Sequence, residues 1–149
     1  GAKEFIKFLH DNNIPLIIIS AGIGNFIETF LTLNGCYYDN IYVSSNKIIF
    51  KDGIAVGVDT NIIHSLNKNE VSLPDNIKEK LSNRKNVLLL GDQISDLRMV
   101  DKSKHDHVYT NCFLCDENKS ELEVIRKQFD IVCEIGDNYF DLKKVLFSE

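Results

Sequence analysis

Asn86-Val-Leu-Leu-Leu-Gly91-Asp92-Gln-Ile-Ser-Asp96-Leu-Arg-Met-Val-Asp101 decides how this sequence is to be read. Its first half is a continuous apolar run, which suits a strand buried on both faces of a parallel sheet. Gly91 lets the backbone approach closely at the carboxyl end, and two carboxylates follow, Asp92 and Asp96. Ligands of open α/β sheets gather at this end of the strands. A hard cation such as Mg2+ takes carboxylate oxygens and shares its shell with phosphate and water. Asp92 at the strand tip suits a direct ligand, and Asp96, one turn later, suits a support for the loop or for a metal-bound water. The same two residues also fit a helix N-cap and a first-turn charge.

Working outward, Leu16-Ile-Ile-Ile-Ser20 is a second buried strand, preceded by an amphipathic helix with Phe5 and Leu9, joined by Ile6 and Phe8, on one face. Ser20-Ala21-Gly22-Ile23-Gly24 then turns into a helix with Phe26, Ile27, Phe30, Leu31 and Leu33 at helical spacing and Gly35 past its end. A hydroxyl and small residues before a helix N-terminus can wrap an anion. They fit a purely structural turn equally well. Ile41–Ser45, Lys47–Phe50 and Ile54–Val58 predict a hairpin-like excursion, with turn chemistry at Asn46 and Asp52-Gly53. A polar stretch with His64, Asn67 and Lys68 follows, and Pro74-Asp75 opens a helix to about Ser82. Beyond Asp92 come a short helix over Ser95 to Val100, a strand from His107 to Leu114 and a helix from Glu117 to Phe129. A strand over Asp130 to Cys133 and a helix over Tyr139 to Phe147 close the chain. The alternation predicts one α/β domain over residues 1–149, a Rossmann-like parallel sheet with helices on both faces.

Composition limits the function. Of 149 residues, 44% are hydrophobic, enough for a real core, and the net charge of -5 argues against a nucleic-acid partner. No apolar run approaches the roughly 20 residues of a membrane span. Cys112 and Cys115 form a C-x-x-C, but no second pair or histidine pattern accompanies them, so they are read as reduced thiols packed in a sheet. Reduced cysteines fit a cytosolic location. The sequon Asn118-Lys-Ser120 is incidental on that reading.

A lone lysine is ordinarily a solvated surface charge, and Lys68 gains interest only from lying between the two candidate loops. Three segments now stand in order: Ser20-Ala-Gly-Ile-Gly24, His64-x-x-Asn-Lys68, and Leu89-Leu-Gly-Asp92-x-x-x-Asp96-Leu-Arg-Met-x-Asp101. Together they resemble motifs II, III and IV of haloacid-dehalogenase-like phosphatases, and their wording is similar to the cytosolic pyrimidine 5′-nucleotidase (type III) family. The resemblance implies a haloacid-dehalogenase-type fold and Mg2+-dependent hydrolysis of a nucleoside 5′-monophosphate through an aspartyl-phosphate. It implies that Ser20, Ala21 and Gly22 bind the phosphoryl group and that Lys68 neutralises charge on nucleophile and phosphate. It makes Asp92 the metal ligand and Asp96 its supporting carboxylate.

Motif I of that family, D-x-D at the end of an apolar strand, is nowhere in these residues. The resemblance therefore implies the C-terminal portion of the enzyme, with the nucleophile and the base-reading cap in a missing N-terminal half. In the family's sheet the motif I strand separates the strand ending at Ser20 from the one ending at Asp92. Those two strands should then either pair directly or leave unpaired edges, which invite association. Two other readings stay open: a phosphatase for another small phosphomonoester, such as a phosphoserine or sugar phosphate, and a non-catalytic interaction module of the same fold. The 149-residue chain alone is expected to show no phosphatase activity. Turnover of a nucleoside monophosphate by the pure chain, abolished by Asp92→Asn, would overturn that expectation.

Overall fold

Leu16-Ile-Ile-Ile carries nothing polar until Ser20, and it forms the strand expected of it, β1 (Leu16–Ile23), but Leu16 to Ser20 are only half-buried where the apolar run predicts burial on both faces. The structure is a computed structural model that describes residues 1–59, 62–69 and 73–134. In it, α1 (Ala2–Asp11) precedes β1, and α2 (Gly24–Leu33) follows. The chain forms two compact units, residues 1–68 and 69–149.

In the first unit β2 (Ile41–Asn46) lies parallel to β1, with Leu16 opposite Ile41 and Ser20 opposite Ser45. The connection is made through α2, which ends in a Schellman turn. Gly35 at φ 64 is left-handed, its N–H donates to the Thr32 carbonyl at 2.9 Å, and the Cys36 N–H donates to the Leu31 carbonyl at 3.0 Å. Leu31 and Cys36, joined by that bond, are buried together with Ile41, and Leu16, Ile18 and Val43 pack against them.

This overturns part of the expected hairpin. β2 belongs to the parallel sheet because Ile41 and Val43 share a core with β1, and Asn46 ends this strand instead of turning it. The hairpin is β3 (Ile48–Lys51) with β4 (Ile54–Val58), antiparallel, with Lys51 opposite Ile54. Asp52 at φ 52 and Gly53 at φ 79 supply the two left-handed residues that match a tight turn to the strands' twist. The apolar stripe of α2 is also narrower than its sequence suggests. Leu31 is buried and Ile27 half-buried, while Phe26, Phe30 and Leu33 are 68%, 66% and 82% exposed.

In the second unit α3 (Asp75–Leu81) starts just after Pro74. β5 (Asn86–Gly91), β6 (His107–Phe113) and β7 (Ile131–Cys133) then form a parallel sheet in that order. The helix expected from Glu117 is shorter. A 3₁₀ turn at Lys119–Glu121 leads into α4 (Leu122–Gln128), because the Asn118 side chain ties the preceding residues to the strand ends. Ile125 of α4 has no exposed surface and packs with Cys112 and Phe129.

All four cysteines are free thiols, and Cys36, Cys112 and Cys133 are buried. Burial, with the nearby Asp92 and Asp96 carboxylates, pushes the Cys112 thiol up to about 11, the state of an inert packing residue. Cys115 lies past the end of β6 and not within it. Among the described residues, β1 has a ladder only to β2, and β5 only to β6. No helix there is long and apolar enough to cross a membrane. The expected closing helix over Tyr139 to Phe147 lies outside the described residues.

Asp130 clasps the start of β7 to β6, accepting from the Thr110 N–H and hydroxyl, both at 2.8 Å. Burial raises its carboxyl, but those bonds and the charge of Lys102 outweigh burial and leave it below its ordinary value of 3.8. A depressed folded pKa stabilises the fold above the ordinary pKa, and that contribution fades as pH falls through the folded value. Asp130→Asn should therefore lower the urea midpoint at pH 7, with the gap to the parent closing at an acid pH below the lowered folded value. An equal gap at both pH values would show that the charge plays no part.

Candidate functional site

Ser20 sits where the ladder with β2 becomes irregular: Ser20 pairs with Ser45, and the register then shifts so that Ile23 faces Asn46. β1 thus runs on to Ile23, three residues beyond its expected end, with Ala21 and Gly22 exposed on the irregular stretch. The Gly22 N–H donates to Ser20 Oγ at 3.1 Å, so the hydroxyl's own proton remains to be offered outward. α2 begins at Gly24 with no side-chain cap. A Cβ on Gly24 would collide with Ser45 Oγ, so this glycine lets the helix start press against β2.

The segment before Lys68 is a small hydrogen-bonded knot. Asn67 Oδ1 accepts from the His64 N–H at 2.7 Å, Asn67 Nδ2 donates to the Ile62 carbonyl at 2.9 Å, and the Leu66 N–H donates to His64 Nδ1 at 3.3 Å. His64 is thereby a turn residue. Lys68 leaves this knot half-buried. Asn46 fastens it to the first loop. Its Nδ2 donates to the Ala21 carbonyl at 2.8 Å and to the Ile63 carbonyl at 2.9 Å, and its Oδ1 accepts from the Ile63 N–H at 2.7 Å.

At the tip of β5, Asp96 is 4% exposed, and its Oδ2 accepts from the Asp92 N–H at 3.0 Å and the Gln93 N–H at 3.2 Å. The N-cap of the following 3₁₀ turn (Ile94–Met99) is Gln93, and Asp96 completes a capping box with it. Asp92 is therefore not the cap, and its side chain is exposed at the strand tip. Gly91 is demanded by contact, since a Cβ there would lie 2.6 Å from Asp96 Oδ2 and 2.7 Å from its Cβ. Asn118, 7% exposed, closes the other side. Its Nδ2 donates to the Asp92 carbonyl and, at 3.0 Å, to the Phe113 carbonyl, while its Oδ1 accepts from the Cys115 N–H at 2.9 Å.

The structure thus brings Ser20, Ala21 and Gly22 together, and Asp92 with Asp96. Ser20 and Lys68 belong to the unit of residues 1–68, and the two aspartates to the unit of residues 69–149. The donor chemistry at Asp92, a hard carboxylate oxygen with a fixed backbone, suits Mg2+. Among the described residues no group of three or more His, Cys, Asp or Glu could hold an ion. A cation held at Asp92 would need further ligands from substrate, water or other residues.

Sequence reading missed two residues, Asn46 and Asn118. Asparagine in a turn-like setting signals only a turn, and nothing in the spacing marks an amide that bonds partners 17 to 26 residues away.

Comparison with known proteins places this arrangement. The family profile for pyrimidine 5′-nucleotidase (UMPH-1) matches residues 1–149. The 7-methylguanosine phosphate-specific 5′-nucleotidase of Mus musculus is 37% identical over 138 residues, covering 90% of this chain and 46% of that protein. That of Drosophila melanogaster is 30% identical over 148 residues, 97% of this chain and 46% of that protein. The crystal structure of cytosolic 5′-nucleotidase IIIB bound to cytidine superposes with a TM-score of 0.85 at 29% identity, over 98% of this chain and 50% of that one. The chain thus spans about half the length of the relatives it matches. With a profile matched from end to end and its sheets and helices following those of a solved nucleotidase, this haloacid-dehalogenase-like chain belongs to the pyrimidine 5′-nucleotidase (UMPH-1) family.

Proposed function

We propose that this chain is the C-terminal portion of a cytosolic, Mg2+-dependent 5′-nucleotidase that hydrolyses nucleoside 5′-monophosphates through an aspartyl-phosphate. The attacking aspartate lies outside these residues. The observation that carries the reading is the locked tip of β5. A buried Asp96 fixes the Asp92 backbone through two N–H bonds, so the Asp92 carboxylate is presented at the strand end where ligands of such sheets bind. The relatives described above are 5′-nucleotidases, and one was solved with a nucleoside bound.

In this proposal residues 1–149 form one partial phosphatase core. Ser20 donates its hydroxyl proton to a phosphoryl oxygen, and the backbone at Ala21 and Gly22 lies alongside. Lys68 places an ammonium against the charge shared by nucleophile and phosphate. Asp92 would hold the Mg2+, which when bound offsets negative charge on the phosphoryl oxygens. Asp96 keeps the loop in place. Phosphoryl transfer asks a protein mainly for positioning and charge neutralisation, and these groups supply both.

The full-length polypeptide is expected to release phosphate from nucleoside monophosphates in a Mg2+-dependent way. A panel of cytidine, uridine and 7-methylguanosine monophosphates, with phosphoserine and a sugar phosphate as controls, tests the substrate class. Asp92→Asn should lower kcat by about 10²-fold or more, because a lost charge at a metal site is not replaced by an amide. Full activity in that variant would remove Asp92 from the mechanism, and a preference for the control esters would remove the nucleotide.

Gly91→Ala provides a separate check. The added methyl meets the Asp96 side chain, so the capping carboxylate must move and release the Asp92 N–H. We expect a loss of about 1–3 kcal/mol in stability together with weaker Mg2+ activation. A variant with the parent's Mg2+ dependence would show that Asp96 does not set the geometry of Asp92.

A further inference from the structure

Asn46 stands at the end of β2, and its side chain reaches two other segments of the first unit. Both amide hydrogens are used, one on the Ala21 carbonyl at 2.8 Å and one on the Ile63 carbonyl at 2.9 Å. Its oxygen takes the Ile63 N–H at 2.7 Å, completing a two-way clasp on the backbone of one residue. Ala21 is the middle residue of the candidate phosphate loop. Ile63 lies within the self-bonded knot whose Asn67 and His64 bonds lead the chain into Lys68. One planar amide therefore spans the two segments that carry the hydroxyl and the ammonium.

We propose that Asn46 is a positioning residue, fixing the Ser20–Gly22 loop and the Lys68 segment in one register so that both act on a single phosphoryl group. The inference rests on the phosphatase reading above. The amide is well matched to the task because it presents two donors to carbonyls and one acceptor to an N–H in one plane. A carboxylate of nearly the same size keeps the acceptor but turns both donations into oxygen–oxygen repulsion. A register error of an ångström in such a site is costly, since loss of alignment lowers the rate far more than it lowers general affinity.

Asn46→Asp and Asn46→Ala, made in the full-length polypeptide, test this with two ligands. Inorganic phosphate, measured as a competitive inhibitor, probes the hydroxyl and ammonium together. The free nucleoside product, measured by its own inhibition constant, probes the rest of the site. Both variants are expected to weaken phosphate inhibition and lower kcat by about tenfold or more while nucleoside inhibition stays within about twofold. Adding Ser20→Ala or Lys68→Ala to Asn46→Ala should then cost much less than the product of the single effects.

Phosphate inhibition unchanged in both Asn46 variants, with Ser20→Ala and Lys68→Ala each losing it, would overturn the role of Asn46 and leave the phosphatase reading standing. Parallel loss of phosphate and nucleoside inhibition would also overturn it, in favour of a general structural role. Inhibition indifferent to Ser20→Ala and Lys68→Ala would bring down both proposals together.

Discussion

Asp96 carries a carboxyl group into a place where only 4% of its surface meets solvent, and a polar group so placed must find partners or destabilise the fold. It finds them in the Asp92 and Gln93 N–H groups, at the first peptides past the end of β5. That demand settles the rest of the tip. Gly91 is excluded from having a side chain, because the carboxylate occupies the space where a Cβ would stand. Gln93 becomes the cap of the 3₁₀ turn, and Asp92 is left facing outward. A single buried acceptor thus converts an ordinary strand end into a rigid platform for the neighbouring carboxylate.

The loops elsewhere are held by a different device, the asparagine side chain. Asn25 exchanges hydrogen bonds with the Ile48 backbone, fastening α2 to the hairpin, and Asn40 donates to the Ile14 carbonyl at 2.7 Å. Asn46 and Asn118 do the same around the candidate phosphate loop and the β5 tip. A side-chain amide can imitate a peptide and so pair with backbone where no strand is available. Irregular chain is thereby given partners for its polar groups without a continuous ladder, which is what a binding edge made of loops requires.

The strands and helices with one-sided chemistry were legible in the sequence. Asn86 to Gly91 has no polar residue between its ends, and α1 buries Phe5 and Leu9 as its spacing predicts. Ile41-Tyr-Val-Ser-Ser was misassigned to the hairpin because a short, mixed run does not reveal its partner, and only the shared core with β1 makes it a parallel strand. The apolar residues of α2 misled in the other direction. Phe26 and Phe30 have helical spacing, yet periodicity does not say which side of a helix is covered. At the candidate site, chemical character alone could nominate Ser20, Lys68, Asp92 and Asp96. What could not be named was the scaffolding behind them, since Asn46 and Asn118 act through contacts far along the chain.

Asn118 has one more implication. Its amide nitrogen is the atom to which an N-linked sugar would be joined in the sequence Asn-Lys-Ser, and in the folded protein that nitrogen is buried and donates to the Asp92 and Phe113 carbonyls. A glycan there would have to be added before the chain folds, and it would then hold apart the two strand ends that the amide draws together. Passage through a glycosylating compartment would therefore act against this fold, and expression hosts that lack the modification are the natural choice for making it.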